Sequence, residues 1–349
     1  MKSATSKGRA PLRLVLVGAG GMMRHHITDL LKMRDRVEVV AIAEPDDKQA
    51  RLTRAVFVAG GVKPPTRIRE LDGLLKRVKA DAAFIASPHV YHHDQTVACL
   101  ETGLDVLLEK PMVMNGEEAR SLIEARDRTG RLLVVAFPGS LSPSIRLAGG
   151  WLRSGGLGPI RAITGMAFQD WAVNTVGTWR QRPEISGGGF LFDTGAHLLN
   201  TVCDLAGEDF VEVSATLSDD GYPVEVRGAV RGVLRSGALV TLMAAGVCPP
   251  GVIGSQIDVF AEQAVIRTGI WGERLEVWRS RGPGLRKVRL PRSLGVVDTF
   301  LAVRAGEIEN PCPPEVGLRM ARLYDAIVAS STRGGAAIKL EKTRPSRPR

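Results

Sequence analysis

The chain has no run of about twenty apolar residues, the length a helix needs to cross a bilayer. Its hydrophobic content of 44% therefore reads as the interior of a globular protein. The opening segment MKSATSKGRAPLR is basic but has no apolar core or small-residue cleavage pattern, so a secretory leader is not expected and the cytoplasm is the expected location. Cysteine pairing is also missing. Cys99, Cys203, Cys248 and Cys312 lie far apart with no C-x-x-C, which argues against a zinc site or a disulfide framework and leaves core filling as their role. No stripe of basic and aromatic residues runs through the body. Most of the net charge of +10 sits at the ends, with Lys2, Lys7, Arg9 and Arg13 at one and Lys339, Lys342, Arg344, Arg347 and Arg349 against Glu341 at the other. Solvated basic ends, at residues 1–10 and 341–349, explain that surplus without nucleic acid.

What remains is long enough for two domains. Leu12–Val17 (LRLVLV) is a short apolar run of the kind buried on both faces of a parallel sheet. It ends in Gly18, Gly20 and Gly21, which lead into a helix-like segment with Met22, Ile27, Leu30 and Leu31 at apolar positions. A second apolar strand, Val37–Ala43, carries Glu44 at its carboxyl end, twenty-four residues after Gly20. Strand, glycine turn, helix and distant acid make a dinucleotide fingerprint. The turn lets backbone N–H groups approach a pyrophosphate, and the acid accepts hydrogen bonds from the adenosine ribose. Gly18, Gly20, Gly21 and Met22 are thus the candidate phosphate turn. Glu44 favours NAD, with NADP the alternative if Arg24, Lys48 or Arg51 holds the extra phosphate. Met23 stands at the third glycine position, where a small residue normally lets helix and strand pack closely, and so weakens the expected grip on the cofactor.

The alternation continues through Ala82–Ala86, a helix over 92–102, Asp105–Leu108, a helix over 117–128 and Leu132–Phe137, which predicts a parallel sheet in an α/β domain. Ligands bind beyond the carboxyl ends of such strands, where Ser87-Pro88 and Glu109-Lys110-Pro111 stand. From about residue 159 the strand-like runs Val211–Leu217, Val224–Arg235, Leu239–Val247 and Ile257–Phe260 are separated by turns instead of helices, an antiparallel pattern.

DAAFIASPHVYHHDQTVACLETGLDVLLEKPMVMN, with its EKP motif, and SGGGFLFDTGAHLLN, with D-x-G-x-H, resemble the Gfo/Idh/MocA family of glucose-fructose oxidoreductase and inositol dehydrogenase. The resemblance extends to the helix GLRMARLYDAIVASS and covers nearly the whole chain. It implies a Rossmann domain over 11–137 and a C-terminal α+β domain over 138–340 with a large open antiparallel sheet. Such a sheet is often an oligomer contact, so a homo-oligomer, dimer or tetramer, is expected.

Asp193 and His197 are four apart, so on one helix spanning Leu191–Leu205 they would share a face, with Asp193 orienting His197. The resemblance adds Lys110, giving a catalytic set of Lys110, Asp193 and His197 in which His197 transfers the proton and Lys110 polarises the substrate oxygen. It further implies that Glu109 approaches the nicotinamide ribose, that the Lys110–Pro111 bond is cis, and that Ser87, Pro88 and His92 form a turn beside the cofactor. Trp179 and Arg180 resemble a substrate-cleft segment. Asn200 and the segment GSLSP at 139–143 depart from the family pattern near the expected sugar site. His89 and His93 have no such match and read as loop and helix-surface residues; His25 and His26 read as structural. The function expected is NAD(P)-dependent hydride transfer at a secondary alcohol or ketone of a sugar, inositol or related polyol. The alternatives are an NAD-dependent glycoside hydrolase working by transient oxidation and a non-catalytic cofactor-binding regulator.

Overall fold

The computed structural model describes residues 10–280, 282, 284, 286–290 and 293–340. Of the two basic ends, residues 1–9 and 341–349 lie outside the described residues.

The apolar runs of the first third pair side by side. The strands are β1 (Leu12–Val17), β2 (Val37–Ala43), β3 (Thr66–Ile68), β4 (Ala82–Ile85), β5 (Asp105–Glu109) and β6 (Leu133–Ala136). They form a parallel sheet in the order β3-β2-β1-β4-β5-β6, which places a crevice where the order reverses at β1. β4 and β6 are buried at every position and β1 at all but Arg13, because helices cover both faces. Among these helices are α1 (Gly21–Leu30), α2 (Asp47–Ala59), α3 (Leu71–Arg77), α4 (His92–Glu101) and α5 (Gly116–Thr129). Their ends are set locally. Asp46 caps α2 by accepting the N–H groups of Lys48 and Gln49, and Asn115 caps α5 by accepting that of Glu118. β3 escaped the sequence reading: it has only three residues, and none of them is fully buried, so no apolar run marks it.

The second sheet has nine strands: β7 (Ile160–Gln169), β8 (Phe210–Ser218), β9 (Arg227–Leu234), β10 (Leu239–Ala245), β11 (Ile253–Ala261), β12 (Ala264–Thr268), β13 (Leu275–Arg279), β14 (Arg286–Lys287) and β15 (Ile338–Lys339). Their order is β14-β13-β12-β11-β7-β10-β9-β8-β15. The expectation of a purely antiparallel sheet needs one correction, because β7 and β10 pair in parallel. β7 enters the middle of the sheet between β11 and β10 after crossing from the first domain, so it comes without a hairpin to reverse it.

One face of this sheet packs on the helix Gly195–Ala206. A Cβ at Gly165 of β7 would lie 2.8 Å from Leu198 Cδ1. That helix brings His197 to the sheet and the crevice together. Residues near the C-terminus return to the first domain, where Val297 and Phe300 join the core built on Leu14, Leu16 and Phe84. Arg304 and Asp105 form an ion pair at 2.8 Å across the same junction.

Candidate active site

The glycine turn has the geometry the fingerprint needs. Gly18 adopts φ +85°, and a Cβ there would lie 2.9 Å from both the Ala86 carbonyl oxygen and the Ser87 nitrogen, so only glycine suits this crossing of β1 and β4. Gly20 precedes α1 without a capping side chain, and a Cβ on it would meet nothing within 4 Å. The first intrahelical N–H to find its carbonyl is that of Arg24, bonded to Gly20. The first turn of α1, from Gly21 through Met22, thus presents its N–H groups to open space, as a pyrophosphate requires. Met23 is fully buried in the core with Ile27 and Phe84. It fills the helix–sheet gap, while the turn at Gly20 stays open.

Glu44 is buried beside this turn. Its carboxylate accepts the N–H groups of Ala19 at 2.7 Å and Asp46 at 2.8 Å, which fixes both oxygens next to the glycine turn. Arg24, a candidate phosphate holder, instead donates to the Ala19 carbonyl and the Gln49 side chain, both at 2.8 Å.

On the other side of β1, Ser87 and Pro88 follow β4. Ser87 donates from its hydroxyl to Gln95 at 2.6 Å. The two nitrogens of His92 face the Pro111 carbonyl at 2.8 Å and the Ser87 carbonyl at 2.9 Å, tying the end of β4 to the Lys110–Pro111 bond, which is cis. Burial lowers the His92 pKa although both carbonyls favour the cation, so a neutral ring donates to only one of them. Glu109 is buried and hydrogen-bonded through Oε1 to His26 Nε2. His26 is therefore internal, braced on Phe84, while His25 is exposed.

The catalytic candidates meet, but not as spacing predicted. The expected helix over Leu191–Leu205 has an irregular turn between Phe190–Asp193 and Gly195–Ala206: Thr194 keeps helical backbone angles (φ −74°, ψ −39°), but the His197 N–H bonds to the Thr194 carbonyl at 3.1 Å. The Asp193 side chain is taken up by partners other than His197. Its Oδ1 accepts Lys110 Nζ at 2.8 Å, while Oδ2 accepts Trp171 Nε1 at 3.0 Å and Arg180 Nε at 2.9 Å. Lys110 also donates to the Asp193 carbonyl at 2.9 Å. Burial by itself would raise the Asp193 pKa, but Lys110 and Arg180 outweigh it and hold the carboxyl well below the usual range.

His197 makes no bond to Asp193. Its Nδ1 is buried without a partner among the described residues, and the ring lies between Phe137 and Trp271. Burial, reinforced by Lys110 and opposed by Asp193, pushes its pKa well below the histidine range. The ring is thus a buried neutral imidazole with one unpaired nitrogen, within electrostatic reach of Lys110 and Asp193.

Arg180, bonded to the Asp193 carboxylate, holds its guanidinium 4.5 Å from the Trp179 ring centroid. His89, read as a loop residue, is instead buried. It donates through Nδ1 to the Ser186 carbonyl at 2.7 Å and packs edge-on against Trp179, with burial lowering its pKa to about 3. His93, by contrast, is half-buried on its helix and bonded to Asp94 and Ser121. Asn200 and Ser140, at positions that depart from the family pattern, lie together. They bond each other at 2.7 Å and join Asp204 and Arg319 in a buried network, so their polar groups face one another.

Two supporting residues had no motif to reveal them. Trp171 gives Asp193 its indole N–H. Glu225 accepts the Gly189 N–H at 2.6 Å and the Tyr324 hydroxyl at 2.9 Å. It thereby fixes the glycine run that leads to Asp193, where a Cβ on Gly189 would stand 1.9 Å from the Glu225 carbonyl oxygen.

Known proteins resemble both halves of this arrangement. The model described as an oxidoreductase family with an NAD-binding Rossmann fold matches residues 12–137, and the C-terminal-domain model of the same family matches residues 145–267. A D-glucoside 3-dehydrogenase of Escherichia coli K12 is 28% identical over 59% of this chain and 57% of its own length. A levoglucosan dehydrogenase of Pseudarthrobacter phenanthrenivorans is 32% identical over 38% of this chain and 35% of its own. The alignments thus span little more than half of these relatives, or less. A solved levoglucosan dehydrogenase, in complex with NADH and levoglucosan, shares the fold at TM-score 0.82 and 20% identity, covering 95% of this chain and all of that one. With both its Rossmann and its C-terminal domain matched, the chain belongs to the Gfo/Idh/MocA oxidoreductase family.

Proposed function

We propose that the protein is an NAD-dependent dehydrogenase or reductase acting on a secondary alcohol or ketone of a sugar or related polyol. One observation carries this reading: neutral His197, with an unused nitrogen, stands beside the Lys110–Asp193 pair where the strands end. The glycine turn, open at Gly20 and Gly21, fits a dinucleotide pyrophosphate, and Glu44 fits its adenosine ribose. When bound, the dinucleotide supplies the hydride acceptor or donor.

The chain's own residues handle the proton and the charge. His197 takes the hydroxyl proton during oxidation and returns one during reduction. Lys110 directs two N–H groups at Asp193, leaving a third for the substrate oxygen. Lys110 and Arg180 together carry one positive charge more than Asp193 cancels, which favours a developing alkoxide. Asp193 is a positioning residue for both cations. Trp179 offers a flat apolar wall and Arg180 a donor fork, a combination suited to a hydroxyl-rich ring. The sugar dehydrogenases among the relatives support this substrate class.

The test is the unfolding midpoint with NAD, NADH, NADP and NADPH in turn, followed by NADH formation with a panel of sugars and polyols. Stabilisation by NAD(H) and turnover lost in His197→Asn are expected; no binding of any dinucleotide would overturn the reading. We also infer a homo-oligomer. The sheet face turned away from the helix Gly195–Ala206 exposes Met166, Leu239, Met243 and Phe260 around a shallow depression of about 620 Å³, an apolar face that a second copy would cover. Light scattering of the native protein and of Met243→Glu checks this, and a native monomer would refute it.

A further inference from the structure

The end of β2 holds a cluster that the dinucleotide fingerprint does not require. β3 pairs with β2 in the register Ile42↔Arg67 and Ala43↔Ile68, which brings Arg67 and Arg69 against the segment from Glu44 to Asp47. Arg67 donates to the carbonyl oxygens of Glu44 and Pro45, each at 2.8 Å, and to the Asp47 carboxylate. Arg69 donates to the Pro45 carbonyl at 2.9 Å and grips Asp47 with one nitrogen, at 2.7 and 2.8 Å. Two guanidiniums therefore converge on one carboxylate, next to the acid placed to read the ribose.

We infer that Asp47 sets the dinucleotide preference together with Glu44, by occupying Arg67 and Arg69, which would otherwise bind a 2′-phosphate. The inference rests on the dinucleotide reading above. A phosphate and a carboxylate ask the same thing of arginine, a planar fork of charge-assisted hydrogen bonds. Asp47 already supplies that anion from within the chain, at the start of α2. A 2′-phosphate arriving there meets the Glu44 charge and finds both guanidiniums engaged. Arg24, Lys48 and Arg51 are not needed for the explanation. Asp47 and Arg69 are more than half exposed as side chains, so the pair is open to exchange with an incoming anion once its carboxylate is gone.

The experiment titrates NADH and NADPH against the full chain and three variants, Glu44→Ser, Glu44→Ser/Asp47→Asn, and the latter with Arg69→Gln. Glu44→Ser alone should relax the preference only in part. Adding Asp47→Asn should tighten NADPH by about tenfold, the worth of roughly one charge-assisted hydrogen bond, with NADH nearly unchanged. That gain should shrink at high salt and vanish with Arg69→Gln. Asp47→Asn weakening or tightening both dinucleotides alike would mean that Asp47 merely braces the loop, and a gain that survives Arg69→Gln would equally overturn the inference. If the unaltered protein bound neither dinucleotide, the parent reading would fail and this inference with it, an outcome distinct from an unchanged ratio.

Discussion

Replacing Asp193 with Asn keeps the shape of the side chain and removes the one charge that joins Lys110 to Arg180. The side chains of Asp193 and Lys110 are 9% and 12% exposed, so this pair is not a solvated surface bridge worth a few tenths of a kcal/mol. Taking one partner from a buried pair leaves a desolvated cation uncompensated, at a cost of about 3 kcal/mol or more. The deficit should depend on pH in a stated direction. Asp193 titrates well below its unfolded value, so its contribution is fully present above about pH 4 and is lost as the pH falls through the folded-state value. The variant should therefore trail the native protein most near neutrality and approach it in acid. Urea unfolding followed by tryptophan fluorescence is the suitable assay, because Trp171 donates directly to the Asp193 carboxylate. A deficit below about 1 kcal/mol at neutral pH, of the size of an exposed bridge, would refute the claim that this carboxylate is the hub of the site. So would a deficit of equal size throughout the acid range.

His197→Asn should lower kcat by about a hundredfold or more, with a smaller effect on KM, as loss of a general base does. In the native enzyme the acid limb of kcat should fall below the ordinary histidine pKa, because burial and Lys110 depress that of His197; steady-state rates across pH check both. His89, whose pKa is lowered to about 3, is neutral when folded and charged when unfolded below about pH 6.5. Its stabilising effect is therefore present above that pH and lost towards about pH 3, and His89→Phe should flatten the unfolding-versus-pH curve by up to about 1.4 kcal/mol per pH unit in that window. Glu225→Gln should cost about 2 kcal/mol, since an amide cannot accept from both Gly189 and Tyr324 with the same geometry. Chemical denaturation would register that loss, and no loss would mean the glycine run is held by other contacts.

The parallel sheet was legible because each strand lies between covering helices and so shows as an unbroken apolar run. β3 has no such run, and its place beside β2 became visible only in the register that aligns Arg67 with Ile42. The open sheet was legible in part, through the turn-separated runs that became β8 to β11; β7 and β12 to β15 were not singled out, and neither was the direction of β7. Alternation marks a strand but not which way it runs, and β7 lies in parallel with β10 only because it arrives by a crossover.

In the site, type and neighbourhood were legible while pairing was not. Asp193 and His197 lie four residues apart along a backbone that stays helical at Thr194, yet they do not bond each other. The pairing is set from outside the segment. Glu225, from the strand-like run that leads to β9, takes the Gly189 N–H, and Tyr324, from the helix Pro314–Thr332, takes the other carboxylate oxygen. The glycine run is pinned where no side chain would fit, and the short helix Phe190–Asp193 starts from that fixed point. Asp193 consequently faces Lys110, eighty-three residues earlier in the chain. An i,i+4 spacing puts two side chains on one helix face, but Lys110, Trp171 and Arg180, from other segments, take both Asp193 oxygens. A residue's partner is local information only when no other segment competes for it, and at this site tertiary contacts decide it.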